Sequence, residues 1–94
     1  MDHDIVTRVQ RGDEQAFESL VKADFSRLYR VARGVLGDPH LAEDATQQTF
    51  LVAQRKLYQL REPEKADRWL FAILRSCYLK GRRRRRPIPA ASRQ

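Results

Sequence analysis

The sequence predicts an all-α domain, a compact bundle of three main helices preceded by a short amino-terminal helix or turn. Apolar residues recur at steps of three and four along most of the chain, which is the pattern of amphipathic helices. Helix start and stop residues flank these segments, and no segment alternates in the way typical of a strand. We expect one domain over residues 1–86 and a linker or tail over residues 87–94.

The first main helix has clear boundary residues at both ends. Asp13 is a suitable N-cap, and Gly37 is a natural residue to follow the last turn. One long helix, straight or kinked, is therefore expected over residues 14–36, after a short helical segment that carries Ile5, Val6 and Val9. A single stripe is predicted to hold its apolar residues, Phe17, Leu20, Val21, Phe25, Leu28, Val31, Ala32 and Val35. The other faces are expected to hold Arg27, Arg30 and Arg33.

Two further helices follow. Asp38 as N-cap and Pro39 at the first helical position predict a second helix that runs to about Leu57. Its apolar residues cover more than one stripe, so we expect two contact faces, with residues 50–53 unable to point inward together. Residues 60–63 break the helical pattern, because a proline ends the preceding helix, and a third helix begins near Glu64. The inner stripe of this helix is predicted to be Ala66, Trp69, Leu70, Ile73, Leu74 and Cys77. Gly81 is expected to interrupt the helix before the arginine run 82–86.

Charge is distributed unevenly along the chain, whose net charge is +7. Residues 68–94 hold nine Lys or Arg and no Asp or Glu, whereas residues 1–67 hold ten Lys or Arg against twelve Asp or Glu. A near-neutral body with a basic carboxyl end indicates a polyanionic partner. On charge alone, nucleic acid and an anionic membrane surface are both candidates.

Composition also argues against several function classes. There is no run of about 18 apolar residues, and the first ten residues lack the plan of a signal peptide. A single cysteine, Cys77, cannot form an internal disulfide, which fits a reducing cytosol. No spacing of His and Cys predicts a metal site, and no nucleophile–base arrangement or glycine-rich phosphate loop predicts catalysis. We therefore expect a cytoplasmic binding protein that is not an enzyme and needs no metal or cofactor.

Three segments in series resemble region 2 of the extracytoplasmic-function (ECF) sigma factors. They are GDEQAF through VLGD over residues 12–38, AEDATQQTFL over residues 42–51, and RWLFAI over residues 68–73 followed by a basic run. Order and spacing agree over about residues 10–86. The resemblance implies a helical domain that binds core RNA polymerase and recognises and melts the promoter −10 element. The family's second module, which reads the −35 element, is not in this sequence, so an excised domain or a naturally short protein is expected.

The sequence departs from the family pattern at several positions. Gln48 stands where the family usually has glutamate, and Gln54 where it usually has an aromatic residue. Ala66, Ser76 and Lys80 replace a common phenylalanine, asparagine and aspartate. These departures bear on the details of polymerase contact and on which promoter bases are preferred.

The second helix is, by resemblance, the polymerase-binding surface, and its partner is the coiled coil of the β′ subunit. Its predicted contact residues are Asp44, Gln47, Gln48, Leu51 and Gln54. The first four are spaced by three and four residues, so they can share one helix face. Amide and carboxylate groups beside an apolar residue suit a basic partner helix. From spacing alone, a solvated polar face would account for the same residues; the matching motif favours polymerase contact.

The segment between the second and third helices is, by resemblance, the part that holds a base extruded from the non-template strand. Stacking and hydrogen bonds to the base edge must offset the cost of unstacking. The predicted DNA-contacting residues of this loop are Tyr58, Leu60, Arg61, Glu62, Glu64 and Lys65. On the third helix they are Arg68, Ala72, Arg75, Ser76, Leu79 and Lys80, and beyond it Arg82, Arg83 and Arg84. Without the resemblance, the loop would be interpreted as an ordinary connector. On the third helix, Trp69 and Cys77 lie on the apolar stripe and are expected in the core.

Two other interpretations stay open at this point. A generic basic module would bind RNA or duplex DNA through the arginine run, without sequence preference and without a polymerase partner. An inhibitor of the anti-sigma type is a further possible partner, and it is compatible with the main interpretation. Membrane anchoring is disfavoured because Gly81 and Pro87 flank the basic run, which therefore lacks the amphipathic helix that an anchor needs.

Overall fold

The computed structural model describes residues 3–85, and the side chains of residues 4–81. This part of the chain forms four α-helices: α1 (His3–Gln10), α2 (Glu14–Leu36), α3 (Pro39–Lys56) and α4 (Ala66–Arg85). Two short 3₁₀ turns, Leu57–Gln59 and Pro63–Lys65, lie between α3 and α4. Residues 3–85 contain no strand. The predicted all-α fold, with three main helices and a short amino-terminal one, is confirmed.

Capping side chains set the helix starts where the sequence predicts them. The Asp13 carboxylate accepts a hydrogen bond from the backbone N–H of Ala16 at 3.0 Å. Asp38 accepts from the N–H groups of His40 at 2.8 Å and Leu41 at 3.1 Å, and Pro39 occupies the first turn of α3. Gly37 adopts the left-handed conformation (φ 69°), and its N–H donates to the Arg33 carbonyl, ending α2.

The buried line of α2 differs from the predicted stripe. Its buried positions recur at every fourth residue: Ala16, Leu20, Asp24, Leu28 and Ala32. Four residues exceed one helical turn by about 40°, so the contact line winds around α2 toward its carboxyl end. Val31 and Val35 are left beside this line with 39% and 40% of their surface exposed, and their assignment to the inward stripe was wrong.

Helix α3 lies between α2 and α4 and packs against both. Its buried residues are mostly small: Ala42, Ala45, Thr46, Thr49 and Ala53, together with Phe50. The two threonine hydroxyls donate to the carbonyls of Ala42 and Ala45, four residues back, at 2.7 and 2.8 Å. With these hydroxyls satisfied inside the helix, both threonines pack like small apolar residues. The two contact faces expected from the sequence are present.

Helix α4 buries the side that the sequence predicts, but it is longer than expected. Ala66, Leu70 and Leu74 are buried, while Trp69 and Cys77 are half-buried at the edge of the core. The helix continues through Gly81 to Arg85, so the expected interruption at Gly81 was wrong. A single glycine costs a helix only about 1 kcal/mol relative to alanine, which does not end a helix of this length.

An ion-pair cluster joins α2 to the start of α4. The Arg27 guanidinium donates to Asp67 at 2.7 Å and to the largely buried Asp24 at 3.2 Å, and lies 5.1 Å from the centre of the Phe71 ring. The hydrogen bond to Asp67 raises the pKa of Arg27. Burial raises the pKa of Asp67, but hydrogen bonds and opposite charge, those of Arg27 among them, together outweigh burial and lower it. Arg27, expected on an outward face, therefore links two helices.

The Asp13 cap makes stability depend on pH in a defined direction. The Ala16 N–H and the Arg8 side chain hold the pKa of Asp13 below its ordinary value of about 3.9. A depressed folded-state pKa contributes stability above the unfolded-state pKa, and this contribution is lost as pH falls through the folded-state value. We therefore expect Asp13→Asn to be less stable than wild type at neutral pH, with the difference shrinking below about pH 4. Urea unfolding of both proteins at a series of pH values measures it, and a difference independent of pH would contradict the assignment.

Two leucines on neighbouring helices form a matched test of the core. Leu74 is fully buried, whereas Leu51 on α3 has 50% of its surface exposed. Leu74→Ala is expected to lower the free energy of unfolding by about 2–5 kcal/mol. For Leu51→Ala we expect a change within about 0.5 kcal/mol. Urea denaturation provides both values, and equal losses would show that the core is not where the structure has it.

Candidate functional site

The outward side of α3 carries all five residues predicted to bind polymerase. Asp44, Gln47, Gln48, Leu51 and Gln54 are each exposed, because the inward side of the helix is taken up by its alanines, threonines and Phe50. We call these five residues the α3 outer face. It combines one carboxylate and three amides around a half-exposed leucine, so it can offer hydrogen bonds and a small apolar contact together.

An apolar groove borders this face on the side of α2. It is lined by Phe17, Val21 and Phe25 of α2 and by Gln47, Phe50, Leu51 and Gln54 of α3. The Phe25 and Phe50 rings are stacked with centroids 6.0 Å apart and form part of its wall. Three of the five predicted residues thus line a groove, which could accept apolar side chains of a partner helix.

The groove leads into a second, acidic depression near the turn between α1 and α2. Phe17 and Gln54 line both, and the depression adds Val9, Gly12, Asp13, Glu14 and Glu18. Glu14 and Glu18 are exposed carboxylates, and the sequence pattern did not single them out. Together the two depressions offer apolar and acidic surface in series, which suits a partner that carries apolar and basic side chains.

The loop between α3 and α4 presents its predicted residues unevenly. Tyr58 has 65% of its surface exposed, and Arg61, Glu62, Glu64 and Lys65 are also exposed. Leu60 is half-buried against the core, so Tyr58 is the more accessible apolar platform. Lys65 and Glu62 pair with each other at 2.9 Å across one turn, and both remain about half exposed.

A residue absent from the predicted set holds the start of this loop. The side-chain amide of Gln10, at the end of α1, donates to the carbonyls of Leu57 at 3.0 Å and Leu60 at 2.7 Å. These partners lie 47 and 50 residues away in sequence. No local pattern in the sequence signals such a contact.

The outward side of α4 carries the remaining predicted DNA contacts within the described side chains. Arg68, Ala72, Arg75, Ser76 and Lys80 are exposed, and Leu79 is half-buried. The face is basic, with exposed Ala72 and Ser76 as small residues between the cations. The side chains of Arg82, Arg83 and Arg84 lie outside the described part of the chain.

A further groove lies between α3 and α4. It is lined by Val52 and Lys56 of α3 and by Trp69, Ile73, Ser76, Cys77 and Lys80 of α4. Trp69 is therefore at the edge of the core, packed against it but reaching a groove that two lysines flank. Lys56 was not among the predicted contacts; only its position on α3 relative to α4 brings it beside Ser76 and Lys80.

The described residues contain neither a metal-binding cluster nor a membrane-spanning helix. No group of three or more His, Cys, Asp or Glu side chains there could hold a metal ion. None of the helices in residues 3–85 is long and apolar enough to cross a membrane.

Comparison with known proteins identifies the family of the chain. The family model "Sigma-70 region 2" matches residues 20–88, most of the chain. The ECF RNA polymerase sigma factor SigW of Bacillus subtilis is 27% identical over 82 residues, covering 87% of this chain and 44% of its own. The RNA polymerase sigma-H factor of Pseudomonas aeruginosa is 33% identical over 72 residues, covering 77% and 37%.

A third relative, the ECF RNA polymerase sigma factor SigE of Mycolicibacterium smegmatis, is 38% identical over 77 residues, covering 79% of this chain and 30% of its own. The chain thus spans less than half the length of each of these curated relatives. No solved structure gives a significant match. On the family match and these relatives, the chain belongs to the sigma-70 region 2 family, as the domain found in ECF sigma factors.

Proposed function

We propose that this chain is a transcription-initiation module of the bacterial cytoplasm. It binds core RNA polymerase through the α3 outer face, and it captures single-stranded DNA of the promoter −10 element with the loop at 58–65 and the outward side of α4. The observation that carries the proposal is the family match over residues 20–88. The exposure of the α3 outer face and of most of the predicted DNA-contacting residues supports it.

Polymerase binding is supported by the composition of the α3 outer face and its groove. Asp44 offers a carboxylate to a basic partner, while Leu51 and the Phe25–Phe50 wall offer apolar contact beside it. Interfaces of this kind gain specificity from charge and hydrogen bonds and gain affinity from a buried apolar centre. The β′ coiled coil is the proposed partner, and an anti-sigma inhibitor that covers the same face would compete with it.

DNA capture is supported by the exposed aromatic ring of Tyr58 and the cations that follow it. A base extruded from the strand can stack on Tyr58, while Arg61 and Glu62 can hydrogen-bond its edge. Arg68, Arg75 and Lys80 can neutralise phosphates of the same strand. Melting then requires no hydrolysis, because capture of the unstacked strand makes the open state favourable.

The first test is saturable binding of this chain to sigma-free bacterial core RNA polymerase, measured by fluorescence anisotropy at moderate salt. Competition by a second sigma factor is expected, since both would occupy the same site on the polymerase. Absence of binding under conditions where a full-length sigma factor binds would favour a generic basic nucleic-acid-binding module. That alternative predicts binding without sequence preference that disappears when residues 82–86 are removed.

The two proposed surfaces can be separated by single substitutions. Asp44→Ala is expected to weaken core polymerase binding by roughly fivefold or more, the effect of losing one charge-assisted hydrogen bond, and to leave single-strand binding unchanged. Glu43→Ala is a matched control, because its exposed carboxylate points about 100° away around α3. Anisotropy with labelled polymerase and with a labelled single strand measures both affinities. Equal loss of both on Asp44→Ala would contradict the division into two surfaces.

Salt dependence tests the phosphate contact of α4. If Arg75 neutralises one phosphate, Arg75→Ala should reduce the slope of log affinity against log salt by about 0.7 for a single strand. Core polymerase affinity should not change with this substitution. The measurement is a salt titration of single-strand binding for wild type and variant. An unaltered slope would remove Arg75 from the DNA surface and leave phosphate contact to the other cations.

A further inference from the structure

The amide of Gln10 ties α1 to both ends of the turn that opens the α3–α4 loop. Its single nitrogen donates to Leu57 O and Leu60 O, so both N–H bonds of the amide can be engaged. The Leu57 carbonyl also accepts the backbone N–H of Leu60 at 3.0 Å, which closes the turn itself. One side chain therefore reinforces a turn that the backbone also closes by a hydrogen bond.

Helix α1, which carries Gln10, is itself held at several points. Val6 of α1 is fully buried in the core, and the backbone N–H of Asp13 donates to the Arg8 carbonyl at 3.0 Å. The Arg8 guanidinium adds a contact to the Asp13 carboxylate at 3.1 Å. Gln10 lies between these attachments, so its amide reaches the loop from a short and well-held helix.

The other end of the loop is closed separately. The Lys65 N–H donates to the Glu62 carbonyl at 2.9 Å, and their side chains pair at 2.9 Å. Arg61 thus lies between two hydrogen-bonded turns, residues 57–60 and residues 62–65. Tyr58 lies within the first of them, which Gln10 also contacts. A binding loop that is already ordered loses less conformational entropy when it captures a ligand.

We propose that Gln10 is a positioning residue for base capture, which holds residues 57–60 so that Tyr58 and Arg61 are presented in their binding arrangement. This inference rests on the proposed function for its DNA component. Gln10 itself makes no contact with DNA in this proposal. Its effect is exerted through the loop, and it is separate from polymerase binding on α3.

The test compares Gln10→Met and Gln10→Glu with Gln15→Met and Gln15→Glu. Methionine keeps the length of the side chain and removes the donors, and glutamate keeps its shape and replaces the donors by oxygen. Gln15 is an exposed glutamine on α2 that lines none of the grooves described above, so it controls for composition and charge. The thermal unfolding of each variant shows that it is folded, and two different replacements guard against one of them failing to fold.

The first readout is hydrogen exchange of the Leu60 amide. We expect this amide to exchange roughly tenfold faster in the Gln10 variants, because the turn loses the two hydrogen bonds from the Gln10 amide. The Gln15 variants should exchange as wild type does. An unchanged Leu60 exchange rate in folded Gln10 variants would overturn the inference whatever the DNA results are.

The second readout is sequence discrimination by the chain. A pool of labelled single strands with randomised bases gives the preferred strand, and its affinity is compared with that of a scrambled strand. The ratio is expected to fall toward one in the Gln10 variants, while phosphate-driven binding to the scrambled strand and core polymerase affinity stay unchanged. A preserved ratio alongside faster Leu60 exchange would overturn the positioning role. If wild type shows no preference at all, the proposed function fails, and the Leu60 exchange rate still decides whether Gln10 holds the loop.

Discussion

The packing of α3 between α2 and α4 is the constraint on which the rest of the structure depends. The inward residues of α3 are small, and its two buried threonines satisfy their hydroxyls on the backbone of α3 itself. Small, internally satisfied side chains allow neighbouring helices to pack closely on two sides at once. In a domain of this size the core is modest, and this arrangement lets a single helix serve as the centre of it.

The position of α3 also determines which of its side chains are left for a partner. With alanines, threonines and Phe50 turned inward, Asp44, Gln47, Gln48, Leu51 and Gln54 must face out. The groove beside them is walled by the stacked rings of Phe50, which is buried in the core, and Phe25 of α2, which is half-buried. The proposed polymerase surface is thus a consequence of how α3 is packed, with the core on one side of the helix and the proposed binding face on the other.

Long-range polar contacts place the parts proposed to bind DNA relative to this centre. Arg27 connects α2 with Asp67 at the start of α4, and Gln10 connects α1 with the loop before α4. The loop contains two short 3₁₀ turns, and the Gln10 amide of α1 adds two hydrogen bonds that hold the first of them. Because the Arg27 side chain is about 42% exposed, its ion pairs contribute more to geometry than to stability.

The sequence by itself determined the helices, the starts of α2 and α3 and the inward sides of α3 and α4, because capping residues and apolar spacing act locally. Asp13, Gly37 and Asp38 predicted their boundaries, and the three matching motifs predicted the family. The exposure of Val31 and Val35, the burial of Asp24 and the extension of α4 through Gly81 were decided by tertiary structure. A contact line that winds around α2 depends on which helices cover it, and a glycine's cost is offset by the rest of its helix. Gln10 and Arg27 acquire their roles from partners 40 or more residues away, and no local pattern contains that information.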